Sequence, residues 1–147
     1  MQSSGCMPPY NIQDRTFEFS AAIAVFCRQI WHVNDVTQHL ARQLLKAASS
    51  VGANMEEADG AQSPADFISK VAIAKKESKE TVYWLRLIAA TDANVRHRVP
   101  TLLDEAKQIQ SIVAAIHANA GQNQKRKGAA KMFFLLLGSY VLLRLIL

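Results

Sequence analysis

The residues that could catalyse a reaction or hold a metal are few in this sequence, and their spacing fits no familiar centre. The histidines, at positions 32, 39, 97 and 117, show no His-x₃-His spacing, and Cys6 and Cys27 are too far apart for a Cys-x₂-Cys pair. A di-iron helix bundle requires Glu-x-x-His on facing helices, but no acidic residue here has a histidine three positions later. Neither a glycine-rich phosphate loop nor a nucleophile elbow is present. We therefore expect a protein that is not an enzyme and needs no metal or cofactor.

A group of polar residues interrupts an apolar stripe in the middle of the chain. Its members are Ser49, Ser50, Asn54, Glu56 and Glu57, and the polar residues Asp66, Lys70, Glu77 and Glu80 follow on the next helix. The helices that carry them are expected to turn near Ser63 and to run antiparallel. Glu56 or Glu57 would then lie at the depth of Lys70 and pair with it. The sequence predicts a polar network that fixes the register of two helices; a role in ligand or subunit recognition is the alternative.

Four amphipathic segments must position these groups. Apolar residues recur at spacings of three and four near 16–32, 36–59, 64–92 and 100–120, which indicates four helices. Asn34 or Asp35 can cap the second helix, and Ser63 followed by Pro64 is a strong start for the third. The short connections predict an all-α fold, an antiparallel up-down-up-down four-helix bundle over residues 15–120 that follows a loose N-terminus, residues 1–14.

Two of these helices carry features that only packing can explain. Gly52 lies inside the second helix, where it costs roughly 1 kcal/mol against alanine, so we expect a neighbouring helix to approach closely there. The first helix has a second apolar side, formed by Phe17, Ala21, Ala24, Val25 and Trp31. A helix with two apolar sides is buried on both, either inside the bundle or against a partner subunit.

The net charge of +5 is divided unevenly along the chain. Up to Ala120, twelve Lys/Arg balance twelve Asp/Glu, so the bundle is neutral. Helix ends at residues 26–46 and 84–107 share one end of the bundle, which we call the pole, and it holds seven Lys/Arg against four Asp/Glu. A basic pole can bind RNA or DNA phosphates; an ordinary solvated rim is the alternative. The candidate phosphate ligands are Arg28, Arg42, Lys46, Arg86, Arg96 and Arg98.

The chain changes character after Ala120. Residues 121–131 form a basic linker, and residues 132–147 form an apolar C-terminal extension, a tail helix. Such a helix is roughly 24 Å long, against about 30 Å for a hydrocarbon core, and the basic residues before it suit a C-terminal anchor. Three interpretations remain open: a membrane anchor or interfacial helix, a helix that packs on the bundle or a partner subunit, and a non-native or divergent extension.

The cysteines and the N-terminus indicate the compartment. Two isolated cysteines form no disulfide framework and fit a reducing setting. The first residues lack a basic region followed by an apolar core, so we expect no secretory signal. We therefore expect a cytoplasmic protein, tethered to the inner face of the membrane if the tail is an anchor.

With these residues in view, the chain resembles the four-helix-bundle family of proteins encoded by intervening sequences of bacterial 23S ribosomal RNA genes. The resemblance covers about residues 14–120. Its central motif is present as Gln43-Leu44-Leu45, Ser49-Ser50-Val51-Gly52-Ala53-Asn54, Glu57-Ala58, Ser63, Asp66-Phe67-Ile68, Lys70, Ile73-Ala74, Lys76-Glu77, Glu80 and Tyr83-Trp84-Leu85. The chain departs from the family pattern at Lys46-Ala47, where Arg-Ser is usual, and in its apolar tail.

This resemblance implies properties that the residues alone do not give. It implies a bundle without known catalysis that forms a ring-shaped homo-oligomer, a pentamer. The similar accessory protein of diversity-generating retroelements binds nucleic acid and a reverse transcriptase through a basic surface. We therefore expect a non-catalytic oligomeric bundle that binds RNA or a nucleoprotein partner through its pole. The alternative is a membrane-tethered scaffold or interaction protein that uses the tail.

Overall fold

The computed structural model describes residues 11–146, with side chains described as far as residue 130 and at Met132. All the regular secondary structure within this range is α-helix, so the all-α prediction is confirmed. The helices are α1 (Ile12–Ile30), α2 (Asp35–Asp59), α3 (Pro64–Thr91), α4 (Ala93–Arg96) and α5 (Pro100–Ile146). The single turn α4 lies in the segment that the sequence predicts to be a loop.

The first helix begins earlier than its apolar stripe suggests. Asn11 caps α1, because its side chain accepts a hydrogen bond from the backbone N–H of Gln13 at 3.0 Å. The prediction that residues 1–14 are loose is therefore wrong for residues 12–14, while residues 1–10 lie outside the described part of the chain. Polar residues such as Gln13 and Asp14 can begin a helix without extending its apolar stripe.

Local sequence signals set the starts of α2 and α3. Asn34 accepts a hydrogen bond from the N–H of Thr37 at 2.8 Å, so it is the N-cap of α2. Ser63 accepts one from the N–H of Asp66 at 3.1 Å, and the Asp66 carboxylate accepts one from the N–H of Gln62 at 3.2 Å. These bonds satisfy N–H groups that have no partner within a helix. Both predicted helix starts are confirmed.

Side-chain contacts show how the long helices pack. The Ser20 hydroxyl donates to the carbonyl of Ala48 at 3.0 Å, whereas the Cys27 thiol, further along α1, donates to the carbonyl of Ala41 at 3.3 Å. α1 and α2 are therefore antiparallel. α3 packs on α2 and α5, and α5 also contacts α1, so the four long helices surround one core in the order α1, α2, α3, α5. The up-down-up-down order of the complete bundle stays a prediction.

The close helix approach expected at Gly52 is present. Gly52 is buried where α2 crosses α1, and a Cβ atom there would lie 3.1 Å from the Ser20 hydroxyl and 3.5 Å from the backbone oxygen of Thr16. The backbones of the two helices thus pack almost directly on each other at this point. A side chain at position 52 would displace Ser20 from its hydrogen bond with α2.

The second apolar side of α1 is not covered by the rest of the described chain. Phe17 is 68% exposed and Val25 is 44% exposed, and the alanines at positions 21 and 24 are exposed as well. Only Trp31 is half-buried among these five residues. Burial of this side within the bundle is therefore wrong for the described residues, and contact with a partner subunit stays a prediction.

The last helix differs most from the sequence prediction. The sequence places a helix end at Gly121 and a linker at residues 121–131, but α5 runs without a break from Pro100 to Ile146. A glycine that ends a helix usually adopts positive φ, and no glycine of the described residues does so. The following glutamines, lysines and arginine are good helix formers, and no proline interrupts them. The predicted end and the non-helical linker are therefore wrong.

The apolar tail is described only in part. Its backbone is helical as far as Ile146, whereas Leu147 and the side chains of residues 133–146 lie outside the described residues. Within the described part of the chain, no helix offers an apolar stretch long enough to cross a membrane.

Candidate functional site

The pole is assembled around a buried carboxylate that links α2, α3 and α4. Asp92 is only 6% exposed, and it caps α4 because its carboxylate accepts the N–H of Asn94 at 3.0 Å. The same carboxylate accepts the Thr37 hydroxyl at 3.0 Å and the Asn34 side-chain amide at 3.5 Å, both at the start of α2. The end of α3 is thereby fixed beside the start of α2. The sequence alone gives Asp92 only as one of the charges of the pole.

The six candidate phosphate ligands all lie at the surface of this pole. Five of them are exposed, and Arg98 is half-buried. None of the six pairs with a carboxylate within the described residues, where the salt bridges are Arg15–Glu105, Lys70–Glu57 and Lys76–Glu80. The positive charge of these six side chains is therefore not neutralised by direct contact with the rest of the described chain.

A first groove, between α1 and α2, combines cations with an aromatic ring. It has a volume of about 320 Å³ and is lined by Ala24, Cys27, Arg28, Trp31, His32 and Leu45. The guanidinium carbon of Arg42 lies 4.9 Å from the centre of the Trp31 ring, which is a cation–π contact. Lys46 is exposed one turn after Arg42 along α2. The groove thus brings two of the six candidate ligands, Arg28 and Arg42, to one indole, and a third is exposed further along α2.

A second groove lies between α3 and the start of α5 and holds two more of the cations. It has a volume of about 580 Å³ and is lined by Tyr83, Arg86, Leu87, Ala89, Ala90, Arg96 and Leu103. The Nε of Arg96 donates to the backbone oxygen of Ala89 at 2.8 Å, which fixes this guanidinium at the rim. Because the helices pack in the order α1, α2, α3, α5, the two grooves lie on opposite sides of the bundle.

Arg98 belongs to neither groove. Its guanidinium lies 5.8 Å from the centre of the Phe26 ring and donates a hydrogen bond to the side-chain oxygen of Gln29. These contacts hold the segment before α5 against the end of α1. Arg98 is therefore a structural contact of the pole, and of the six candidates it has the least freedom to reach a phosphate.

Another basic cluster lies at the opposite end of the bundle. Lys125, Arg126 and Lys127 are exposed on α5, and Lys127 lines a groove beside the start of α3. The sequence predicts that these charges lie in a linker, whereas the structure places them within the continuous helix α5. Any test of the pole must distinguish its cations from this cluster.

Comparison with known proteins identifies the family. A crystal structure of a protein of unknown function from the S23 ribosomal protein family of Bacteroides thetaiotaomicron is similar to this chain, with a TM-score of 0.65 and 32% sequence identity over 73% of this chain and 95% of that chain. The family model of the 23S rRNA-intervening sequence protein matches residues 10–115. The chain belongs to this family. The resemblance based on the central motif is therefore confirmed, and no curated protein matches the chain.

The polar residues of the 23S rRNA-intervening sequence motif make mainly local contacts, and their role in fixing helix register stays a prediction. Lys70 donates a hydrogen bond to the Glu57 carboxylate across the α2–α3 turn, and this contact raises the pKa of Lys70. Asn54 donates to the backbone oxygen of Ser50 at 2.8 Å, within α2. The predicted Glu57–Lys70 contact is thus present, and it joins two helices, whereas the Asn54 contact stays inside one.

The remaining motif residues act within α3. Asp66 accepts the N–H of Gln62 at the start of the helix. Glu80 lies 3.6 Å from Lys76, one turn earlier, on an exposed surface. The described contact of Glu77 uses its backbone oxygen, which accepts the Thr81 hydroxyl at 2.9 Å. Helix ends and single turns satisfy these polar groups, and among the described contacts of the motif the Glu57–Lys70 pair is the one that joins two helices.

Side chains that could hold a metal or act as a nucleophile are scattered in the described part of the chain. No three His, Cys, Asp or Glu side chains of the described residues lie close enough to hold a metal. Cys27 is 1% exposed, and burial raises the pKa of its thiol to about 12. Because the thiolate is the reactive form, Cys27 is a structural residue of the α1–α2 contact at neutral pH.

One ion pair that the sequence does not predict links α1 to α5. Arg15 binds the Glu105 carboxylate through two hydrogen bonds, of 2.5 and 2.7 Å, and also donates to the side chain of Gln108 at 2.7 Å. The Arg15 side chain is 12% exposed. The hydrogen bonds from Arg15 lower the pKa of Glu105. No local spacing could reveal this pair, because its members are 90 positions apart.

Replacing Glu105 by glutamine should lower the free energy of unfolding by about 1 kcal/mol at pH 7, because a neutral amide cannot accept two charge-assisted bonds. The folded-state pKa of Glu105 is lowered. Its contribution is therefore present above the unfolded pKa of about 4.3 and is lost as pH falls through the folded pKa. Urea unfolding from pH 7 to acid pH should show the difference between Glu105→Gln and wild type shrinking towards zero.

The exposed neighbour Asp104 supplies a control for this change. Asp104→Asn removes the same charge next to Glu105 but breaks no salt bridge of the described residues. It should change the free energy of unfolding by less than about 0.5 kcal/mol at either pH. If both variants lose the same stability at pH 7, the Arg15–Glu105 pair does not stabilise the fold.

Proposed function

We propose that this chain is a non-catalytic, self-associating protein that binds RNA, or a protein partner that carries RNA, through its pole. The observation that carries the proposal is the set of six cations at this end, none of which pairs with a carboxylate of the described residues. Surface cations that serve only solubility are usually interspersed with acidic residues. Here the cations outnumber the acids of the pole by seven to four.

The acidic residues of the pole weaken this charge less than their number suggests. The Asp92 carboxylate is buried and occupied by α2 and α4. Glu105 is held by Arg15, a cation outside the pole. The other two acids, Asp35 and Asp104, are exposed, so the solvent around the pole still faces more cations than carboxylates. Such surfaces bind phosphates and release counterions, so affinity falls steeply as salt rises.

Salt-dependent filter binding of a labelled RNA hairpin with a single-stranded tail tests this proposal. The double variant Arg42→Glu/Arg96→Glu changes one cation near each groove. We expect at least about a tenfold rise in Kd at about 50 mM salt, together with a smaller salt slope. Lys79→Glu makes the same kind of charge change on an exposed part of α3 outside the pole, and it should change Kd by less than about twofold.

Two results would overturn the proposal. One is the absence of RNA binding by the wild type at about 50 mM salt. The other is normal binding by the pole variant together with loss of binding when Lys125, Arg126 and Lys127 are replaced by glutamine. That second result would place the RNA contact on the distal part of α5 and leave the pole as a solvated rim.

Self-association is the second part of the proposal, with a closed ring of five chains as the expected assembly. The exposed apolar side of α1 supports it, because a monomer gains nothing from leaving Phe17 in water. Light scattering should give a mass several times the 16.3 kDa of one chain, and Phe17→Glu should lower it. Val36→Glu, at a similarly exposed site on α2, should not. A wild-type mass of a single chain would contradict this part.

A further inference from the structure

The groove between α1 and α2 has a property that phosphate binding alone does not require. Trp31 lies at the end of α1, where it packs against the core but keeps part of its ring exposed. The Arg42 guanidinium covers its ring at 4.9 Å. The guanidinium lies over the indole, so the two groups form a polarisable stacked pair that is contributed by two different helices. Both groups are the side chains on which unpaired bases stack in RNA-binding proteins.

Cations surround this surface on both helices. Arg28 lines the groove beside Trp31 on α1. Lys46 follows Arg42 on α2 and is exposed. A base that stacks against the indole would therefore have its adjoining phosphates close to positive side chains. The groove volume of about 320 Å³ lies at the small end of the range of about 300–1,000 Å³ for small-ligand sites, which suits one base better than a duplex.

The groove between α3 and α5 is less suited to this role. Its aromatic residue, Tyr83, has a smaller ring, and that ring packs edge to face on Trp84 with centroids 4.9 Å apart. The described cation–π contacts involve Trp31 and Phe26, whereas none places an arginine over Tyr83. Arg96 is tied to the backbone oxygen of Ala89. This groove offers phosphate ligands but no preformed stacking surface.

We propose that the α1–α2 groove holds one unpaired nucleobase of single-stranded RNA, stacked on the Trp31–Arg42 surface, while the adjoining phosphates bind Arg28 and Lys46. The inference rests on the proposed RNA binding and gives it a preference for single strands over duplexes. Stacking tolerates any base, because every base has a π face, so the groove selects unpaired RNA without reading its sequence.

Trp31 itself reports on the groove. In the full chain with Trp84→Phe, Trp31 is the sole tryptophan. Titration with an unstructured oligouridylate should quench its fluorescence in a saturable way. An RNA duplex of the same length should bind with little quenching, and inorganic phosphate should leave the emission unchanged. Equal quenching by the duplex or by phosphate would overturn the inference, since either result would mean that no base contacts the indole.

Substitution of the ring gives a second, independent test. Trp31→Leu should weaken oligouridylate binding by a factor of about 5 to 150, the equivalent of about 1–3 kcal/mol for one stacked base, while duplex affinity stays within about twofold. Trp31→Phe should restore most of the single-strand affinity, and Tyr83→Leu is the matched control in the other groove. Unchanged oligouridylate binding by Trp31→Leu would refute the base site but leave phosphate binding intact. Failure of the wild type to bind either RNA would refute the proposed function as well.

Discussion

Replacing Gly52 by leucine is expected to lower the free energy of unfolding by about 3 kcal/mol or more, because the new side chain has no space between α1 and α2. A Cβ atom alone would lie 3.1 Å from the Ser20 hydroxyl and 3.5 Å from the backbone oxygen of Thr16. The remaining leucine atoms would have to push α1 away from α2. The hydrogen bond from Ser20 to Ala48 would then be lost as well. Urea unfolding followed by circular dichroism, at one fixed protein concentration, measures the change.

Gly121→Leu is the matched control for this substitution. Gly121 also lies inside a helix, but a Cβ atom there meets nothing within 4 Å. Its replacement should leave stability unchanged or raise it slightly, because leucine favours helices more than glycine does. If Gly52→Leu cost no more than Gly121→Leu, close packing of α1 on α2 at position 52 would be refuted.

Alanine at position 52 separates crowding from helix propensity. In the wild type, the gain of up to about 1 kcal/mol from higher propensity is opposed by the displacement of Ser20. In a Ser20→Ala background the hydroxyl is absent, so Gly52→Ala should stabilise the protein. A double-mutant cycle measures the coupling between the two positions, and a coupling energy near zero would show that Ser20 does not restrict position 52.

Helix starts were predictable from the sequence because their causes are local. Asn34 and Ser63 each accept the N–H of the residue three positions later, so the donor and the acceptor both lie within one short stretch of sequence. The end predicted at Gly121 failed because glycine permits a helix end without requiring one. Whether a helix ends at a glycine depends on the φ angle that this glycine adopts, and the composition of the sequence does not give that angle. The closeness of α1 to Gly52 was predictable in outline, whereas its partner, Ser20, was not.

The candidate site was predictable in its charges but not in its geometry. Counting Lys and Arg located the basic pole, since helix ends must meet in a bundle with short loops. The division of those cations between two opposite grooves depends on the packing order of the helices. Similarly, Trp31 was assigned to an apolar side of α1, and nothing in its spacing indicates that Arg42 of the next helix lies over its ring.

Replacing Asp92 by alanine should lower the free energy of unfolding by about 2–4 kcal/mol, because one buried carboxylate satisfies groups from two helices. The change removes the cap of α4, worth about 1 kcal/mol. It also leaves the buried Thr37 hydroxyl without its acceptor, at a cost of about 1–3 kcal/mol. Urea unfolding measures the total. Because α4 carries Arg96, RNA affinity should fall as well, although Asp92 itself faces the core.

Two further variants identify the source of this loss. Asp104→Ala removes an exposed carboxylate from the same pole and should lower the free energy of unfolding by less than about 0.5 kcal/mol. If Asp104→Ala and Asp92→Ala lowered stability equally, the loss of negative charge, not the loss of hydrogen bonds, would be the cause. Asp92→Asn keeps one oxygen for the N–H of Asn94, and its amide can donate to the Thr37 hydroxyl, so it should retain more stability than Asp92→Ala. If instead Asp92→Asn and Asp92→Ala are equally unstable, the contact between α2 and the pole requires a carboxylate oxygen at both positions, one for Thr37 and one for Asn94.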